Sequence, residues 1–255
     1  MIFDTHAHYD DEAFDEDRDS LLLSMKEQGI EKIVNIGASL ESNERTLALT
    51  EQYDFIQAAF GIHPNDTDKL NAENFKRVRE LCGMDRCVAV GEIGLDYYWP
   101  EPDASVQKEW FERQMDLAKR MGKPIVVHSR DAAQDTFEMM KAAHAEEIGG
   151  VIHCFSYSRE MAKRFVDMGF FIGIGGVVTF KNSKVIKEVV DYIPLEHIVL
   201  ETDCPYLAPT PFRGKRNSSL LLPYVVEAIA AIKGISTEEV ERITWENAHR
   251  LYRLW

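Results

Sequence analysis

Histidines and carboxylates at regular places are the residues of this 255-residue chain that could do chemistry. His6 and His8 stand two apart, and a period of two puts both side chains on one face of an extended segment. Glu92 follows the apolar run Val88-Ala89-Val90-Gly91, His128 closes Ile125-Val126-Val127, His153 closes Val151-Ile152, and Asp203 comes just after Ile198-Val199-Leu200-Glu201-Thr202. Taken singly, each has an ordinary explanation: histidines capping a strand, a structural salt bridge for Glu92, a satisfied core imidazole, a turn cap for Asp203. Taken jointly, four imidazoles and two carboxylates gathered in one place make poor electrostatic sense without cations. With two divalent ions they do: Glu92 bridges the pair, His6, His8 and Asp203 hold one ion, and His128 and His153 hold the other. Such a pair activates water and grips the attacked oxygen, and Asp203 is placed to take the proton.

Convergence needs elements that bring distant residues to one rim. Eight short apolar or β-branched runs are visible: Ile2 to Asp4, Lys32 to Ile36, Ile56 to Phe60, Val88 to Gly91, Ile125 to Val127, Gly150 to Ile152, Phe170 to Ile174 and Ile198 to Glu201. Segments with helical spacing separate them, among them Arg18 to Gln28, Glu44 to Gln52, Val106 to Arg120 and Ala132 to Ala145. This alternation implies parallel strands joined by right-handed crossovers, and eight units in this length point to a closed (β/α)8 barrel of the TIM type. Two further helical patterns, Leu220 to Lys233 and Thr237 to Leu254, follow the last strand, the second with Ser236 as N-cap. The absence of a linker or internal repeat makes residues 1–255 one domain. In a barrel the loops after the strands form the active face, and five of the eight histidines, His6, His8, His63, His128 and His153, fall there.

Bulk composition sets outer bounds. At 45% hydrophobic and 28% charged residues the chain can bury a sizeable core. The N-terminus shows no signal-like segment and no apolar run approaches the length that spans a bilayer, so a cytoplasmic location is expected, with no membrane partner and no obligate protein partner. Cys82, Cys87, Cys154 and Cys204 lack the spacing of zinc ribbons and read as reduced thiols. A formal charge of −14 repels polyanions at long range, which opposes a general nucleic-acid coat but leaves room for a site whose metals invert the local field.

The phrases at the strand ends carry a resemblance. DTHAH at Asp4 to His8, GIHP at Gly61 to Pro64, GEIGLDYY at Gly91 to Tyr98, PIVVHSRDA at Pro124 to Ala132 and HCFS at His153 to Ser156 are matched by GIGGVVTFKN at Gly173 to Asn182, ETDCPYLAP at Glu201 to Pro209 and RGKRN at Arg213 to Asn217. In this order they resemble the TatD family of metal-dependent hydrolases within the amidohydrolase superfamily, over nearly the whole chain. The resemblance implies a slightly distorted barrel, divalent metals, and cleavage of phosphodiester bonds in DNA or RNA, often from the 3′ end; some relatives remove D-amino acids from tRNA. Metal is ligated in such proteins through residues matching His6, His8, Glu92, His128, His153 and Asp203. The chain departs from the pattern at Tyr157, where the family commonly has Gly, and at Ser218-Ser219, where it commonly has Glu-Pro. Both departures are expected in loops that touch substrate.

On the substrate side, Arg130, Arg213, Lys215 and Arg216 are candidate phosphate contacts, with a solvated basic loop as the plain alternative for the last three. Tyr97, Tyr98 and Trp99 could stack on bases or simply pack a loop. His63 is a candidate to hydrogen-bond substrate or a ligand carboxylate, and Glu201 to orient a group around the ligands. The leading expectation is a nuclease acting on nucleic-acid ends or small phosphoesters, as a 3′–5′ exonuclease. An amide or ester hydrolase, such as a D-aminoacyl-tRNA deacylase or small-molecule amidohydrolase, shares the same water chemistry. A metal-binding scaffold without catalysis is the third reading. Four imidazoles suit Zn, Mn, Co or Ni better than Mg, which the family resemblance adds to the candidates.

Overall fold

The computed structural model describes residues 1–254. Eight parallel strands form one sheet in sequence order: β1 (Ile2–Ala7), β2 (Ile30–Ile36), β3 (Ile56–Phe60), β4 (Cys87–Asp96), β5 (Ile125–Arg130), β6 (Gly150–Ile152), β7 (Phe170–Ile174) and β8 (Ile198–Leu200). Helices lie between them: α1 (Arg18–Ser24), α2 (Leu40–Gln52), α3 (Asn74–Cys82), α4 (Ala104–Met121), α5 (Ala133–Ala142), α6 (Arg159–Asp167) and α7 (Lys184–Tyr192), with α8 (Leu222–Lys233) and α9 (Thr237–Tyr252) after the last strand. This is the (β/α)8 barrel that the alternation predicts. Closure between β8 and β1 is made by a single parallel bridge, Ala7 with Cys204, and by the N–H groups of Asp203 and His8, which reach His6 O and Cys204 O at 2.9 Å. The seam is thus knitted beside the candidate ligands, and it is the distorted part of the barrel.

Alternation along the strands sorts the core into two layers. Phe3, Val34, Ala59, Val126, Val151 and Val199 form one buried cluster with Ala248, Leu251 and Tyr252 of α9. Ser236 caps that helix by accepting from Glu239 N–H, and the Tyr252 hydroxyl donates to Thr5 O at 2.6 Å. Helix α9 therefore plugs the barrel end opposite the histidines. Ile33, Ile56, Phe60, Val127, Ile172 and Ile198 belong to the larger cluster between strands and helices.

Three strands run further than the apolar runs suggest. β1 continues to Ala7, β4 to Asp96 and β5 to Arg130, so His6, Glu92 and His128 sit inside strands. Reading a strand as ending at its first polar residue fails here because those residues face one another across the barrel mouth. Register shifts fall between Asp4 and Ala7 and between Val90 and Ile93, where the pairing must re-aim side chains toward the axis. The helical expectations shift at their ends: α1 stops at Ser24 and a 3-10 turn, Lys26–Gln28, completes the segment. The four cysteines are free thiols, and among the described residues no single helix is long and apolar enough to cross a membrane.

Gly94 shows why β4 and β5 can lie so close at the site. Its φ is +145°, and a Cβ there would sit 1.9 Å from His128 O. Gly94→Ala should cost about 3 kcal/mol or more from strain and overlap, a fall in Tm of roughly 6–12 °C for a chain of this size. Thermal unfolding checks this; an unchanged Tm would show that the two strands separate freely at His128.

Candidate metal centre

Glu92 is the hub of the barrel mouth. Its carboxylate is buried at 3% exposure, and a charge so enclosed is tolerated only among compensating groups. Oε1 lies 2.7 Å from His153 Nε2, 2.9 Å from His128 Nδ1 and 3.6 Å from His63 Nε2. Oε2 lies 3.6 Å from His6 Nε2 and 3.7 Å from His8 Nε2. Asp203 Oδ1 joins that second set, 3.7 Å from His6 Nε2 and 3.5 Å from His8 Nε2. The two carboxylate oxygens thus face two separate groups of donors.

Hydrogen bonds on the far side of each ring decide what its near side presents. His8 Nδ1 donates to Ile36 O at 2.9 Å, which leaves Nε2 to offer a lone pair. His128 Nε2 donates to Asp96 Oδ2 at 3.0 Å, which leaves Nδ1. His6 and His153 stack at 3.9 Å between ring centres. Each has a buried Nδ1 with no hydrogen-bond partner, as has Glu201 Oε2. A ring nitrogen of each histidine and a Glu201 oxygen lie within 4.8 Å of one another, so a buried carboxyl group faces both rings. Its Oε1 accepts from Cys154 N–H at 2.5 Å.

This donor set fits divalent cations. The Nε2 atoms of His6 and His8 are 3.0 Å apart, close enough to share a proton or to flank one cation. Burial drives His6 down to about 4, helped by the neighbouring His153. Against the pull of burial, Asp203 lifts His8 to about 10, and Asp96 and Glu92 lift His128 to about 9. The carboxylates draw positive charge onto these imidazoles, a demand that an ion replacing those protons meets. His6, His8 and Asp203 with Glu92 Oε2 could hold one ion, and His128 and His153 with Glu92 Oε1 another. His63 plays a different part: its Nδ1 accepts from Asn65 N–H, so Nε2 carries the proton and points it toward Glu92.

Sequence reasoning missed Asp96, which fixes the His128 tautomer. Its signal was present, since Asp96 stands four residues after Glu92 on the same face of β4. It also missed Asp4, buried beneath the site and held by Thr202 and Ser219 hydroxyls at 2.7 and 2.6 Å.

A basin of about 660 Å³ opens over the centre, lined by His8, His63, Arg130, His153 and Asp203. Among the described residues Arg130 is the one arginine or lysine on its wall; its guanidinium stacks on Tyr98, 3.8 Å from the ring centre. Tyr98 and Trp99 are exposed beside it, whereas Tyr97 turns its hydroxyl to Asp135. Arg213, Lys215 and Arg216, expected as phosphate contacts, are not among the residues that line the basin. Arg216 is committed to both Asp17 oxygens and Ala13 O; Arg213 lies over Phe180 and Lys215 over Phe212. The two departures from the family pattern likewise serve the scaffold more than the substrate. Tyr157 ties its hydroxyl to Ser129 and Ala132 N–H, and Ser219 is fully buried against Asp4 and Tyr9.

Comparison with known proteins agrees with this architecture. The family model described as TatD related DNase matches residues 3–253. The chain is 44% identical over 254 residues to the uncharacterized metal-dependent hydrolase YabD of Bacillus subtilis (strain 168), with all of both chains covered. It is 33% identical over 258 residues to the uncharacterized metal-dependent hydrolase YcfH of Escherichia coli (strain K12), covering all of this chain and 96% of that one. The crystal structure of YjjV, a TatD homolog from Escherichia coli K12, superposes with a TM-score of 0.94 at 30% identity, covering 100% of this chain and 98% of the other.

Because one carboxylate faces both donor groups, Glu92→Gln should weaken two binding events together, each by at least about tenfold. Calorimetric titration of metal-stripped protein with Zn or Mn checks this. Loss of one event with the other at parental affinity would mean that Glu92 serves a single ion.

Proposed function

The chain belongs to the TatD-related DNase family, and on that footing we propose that it is a divalent-metal-dependent phosphodiesterase acting on nucleic-acid ends as a 3′–5′ exonuclease. The observation that carries this reading is the division of Glu92 between two donor groups at the floor of one open basin. When bound there, divalent ions supply neutralisation of the phosphate charge and activation of water. The chain's own residues do the rest. Asp203 is the base: its side chain is 19% exposed, against 4% for Glu92 and 2% for Asp96, so it is the carboxylate of the cluster that water can reach. Burial opposes its ionisation, but the His8 hydrogen bond and the His153 and His6 charges hold it below the usual carboxylate range. It accepts the proton of the attacking water and returns it to the departing sugar oxygen. Arg130 on the basin wall meets a non-bridging phosphate oxygen, and Tyr98 and Trp99 offer faces for an unstacked base. The basin lies at the barrel mouth, opposite the end that α9 plugs.

Amide or ester hydrolysis remains the second reading, favoured by one observation. Asp10, Asp11 and Asp66 line the same basin, and this acidic wall suits a substrate with an ammonium group, such as an aminoacyl ester, better than a polyanion.

Single-stranded DNA labelled at either end, set beside D-aminoacyl and simple esters, separates the two: release of mononucleotides from the 3′ end is expected, and turnover of esters alone would contradict the phosphodiesterase reading. Asp203→Asn should lower kcat by at least about a hundredfold with an unaltered Tm. Metal-stripped protein should regain most activity with Mn or Co, since nitrogen-rich sites suit them better than Mg; a preference for Mg alone would contradict the ligand assignment.

A further inference from the structure

Two of the sequence phrases, GIGGVVTFKN and RGKRN, contribute no side chain to the metal centre. The first lines a second cavity, and Asn217 of the second braces the backbone beside it. This cavity has a volume of about 150 Å³ and opens on the basin beside Asp203, sharing Ser156, Val177 and Leu207 with it. Its walls include Phe155, Val177, Ile186 and the stretch from Gly173 to Gly176 on one side and Glu201, Thr202 and Asp203 on the other. Exposed Val185 and Leu207 stand at the mouth.

Leu207 is the unusual residue. Its φ is +56°, a left-handed conformation that is unfavourable for a bulky side chain. The surrounding chain holds it there. Asn217, from RGKRN, is buried and donates to Thr202 O and Tyr206 O at 2.9 and 2.8 Å. Gly176, from GIGGVV, lets Leu207 O approach so closely that a Cβ would lie 2.1 Å from it. The cost of holding a leucine this way is borne at a functional edge, where strained backbone tends to gather.

We propose that this cavity receives the base of the nucleotide next to the scissile phosphate, with Leu207 as the lip that separates base from phosphate. The inference rests on the phosphodiesterase reading above. Two features favour a planar ring. Phe155, Ile186 and Val177 give apolar faces, and the hydroxyls of Ser156 and Ser183 with the Glu201 and Asp203 carboxyls stand at the lining for polar ring edges. The volume suits one ring system and not a base pair, which requires an unpaired end. The position beside Asp203 places the attached phosphate over the metal centre.

The test compares two substrates that differ only in the base: the p-nitrophenyl ester of thymidine 5′-monophosphate and the same ester of abasic deoxyribose 5-phosphate. The parent should prefer the base-bearing substrate in kcat/KM by at least tenfold. Val185→Trp, which closes the mouth, should bring that ratio near one. Leu207→Gly should also reduce the ratio while its Tm is no lower than the parent's, because glycine accepts the left-handed backbone; this keeps a test in hand should Val185→Trp fold poorly. Calorimetric binding of thymidine 5′-monophosphate against abasic deoxyribose 5-phosphate, in parent and both variants, asks the same question without turnover. Ratios unchanged in both variants would overturn the inference, as would a parent that does not distinguish the two ligands. A leucyl ester whose hydrolysis is lost selectively in Val185→Trp would assign the cavity to an amino-acid side chain and overturn it too. Absence of phosphodiester hydrolysis with base-dependent binding retained would instead fault the proposed reaction and leave the base site supported.

Discussion

A buried carboxylate shared by two sets of nitrogen donors is the constraint around which this barrel is arranged. Glu92 has five imidazole nitrogens within 3.7 Å, divided between its two oxygens. In a low-dielectric interior neither the carboxylate nor the facing lone pairs are stable alone. The strands deliver this grouping: β1 brings two histidines by its period of two, β4 the carboxylate, β5 and the end of β6 one imidazole each, and the chain after β8 brings Asp203. The barrel's seam lies beside these residues, where Asp203 N–H bonds to His6 O. Candidate ligands from the first strand and from the segment after the last are therefore held by the closure of the fold itself.

A second ring of residues surrounds the candidate ligands. Ile36 O orients His8, Asp96 orients His128, and Glu201 faces the buried nitrogens of His6 and His153. Below them Asp4 accepts from Thr202, Ser219 and the His6 N–H, which ties the first strand to the segment that carries Asp203. Burial lifts the Asp4 carboxyl to about 6 despite these hydrogen bonds. The same logic extends outward: Asn217 and Gly176 hold Leu207 where the basin divides. Motifs that look like catalytic signatures thus divide into residues that face the reacting centre and residues that hold the backbone around it.

Much of this was legible in the sequence because the barrel imposes a simple rule. A polar residue at the end of an apolar strand in a parallel barrel points to one rim, so His6, His8, Glu92, His128, His153 and Asp203 could be gathered from spacing before any contact was seen. What the rule could not supply was side-chain direction beyond the strands. Arg216 reads as a phosphate contact in a basic loop, yet its guanidinium is paired with Asp17. Tyr157 and Ser219 read as substrate-facing departures, yet their hydroxyls find partners in the scaffold. Asp96 went unnoticed because it lies inside a strand that the apolar pattern ends too early. Loop residues answer to tertiary partners scattered through the chain, and local pattern carries no record of those partners.

The account stands on one carboxylate joining two cation positions. Crystals of the protein equilibrated with Mn or Zn, measured at the absorption edge of the metal, address it directly. Two anomalous peaks are predicted at the barrel mouth, one against each Glu92 oxygen, the first near His6, His8 and Asp203 and the second near His128 and His153. A single peak, or peaks that leave Glu92 uncoordinated, would contradict it.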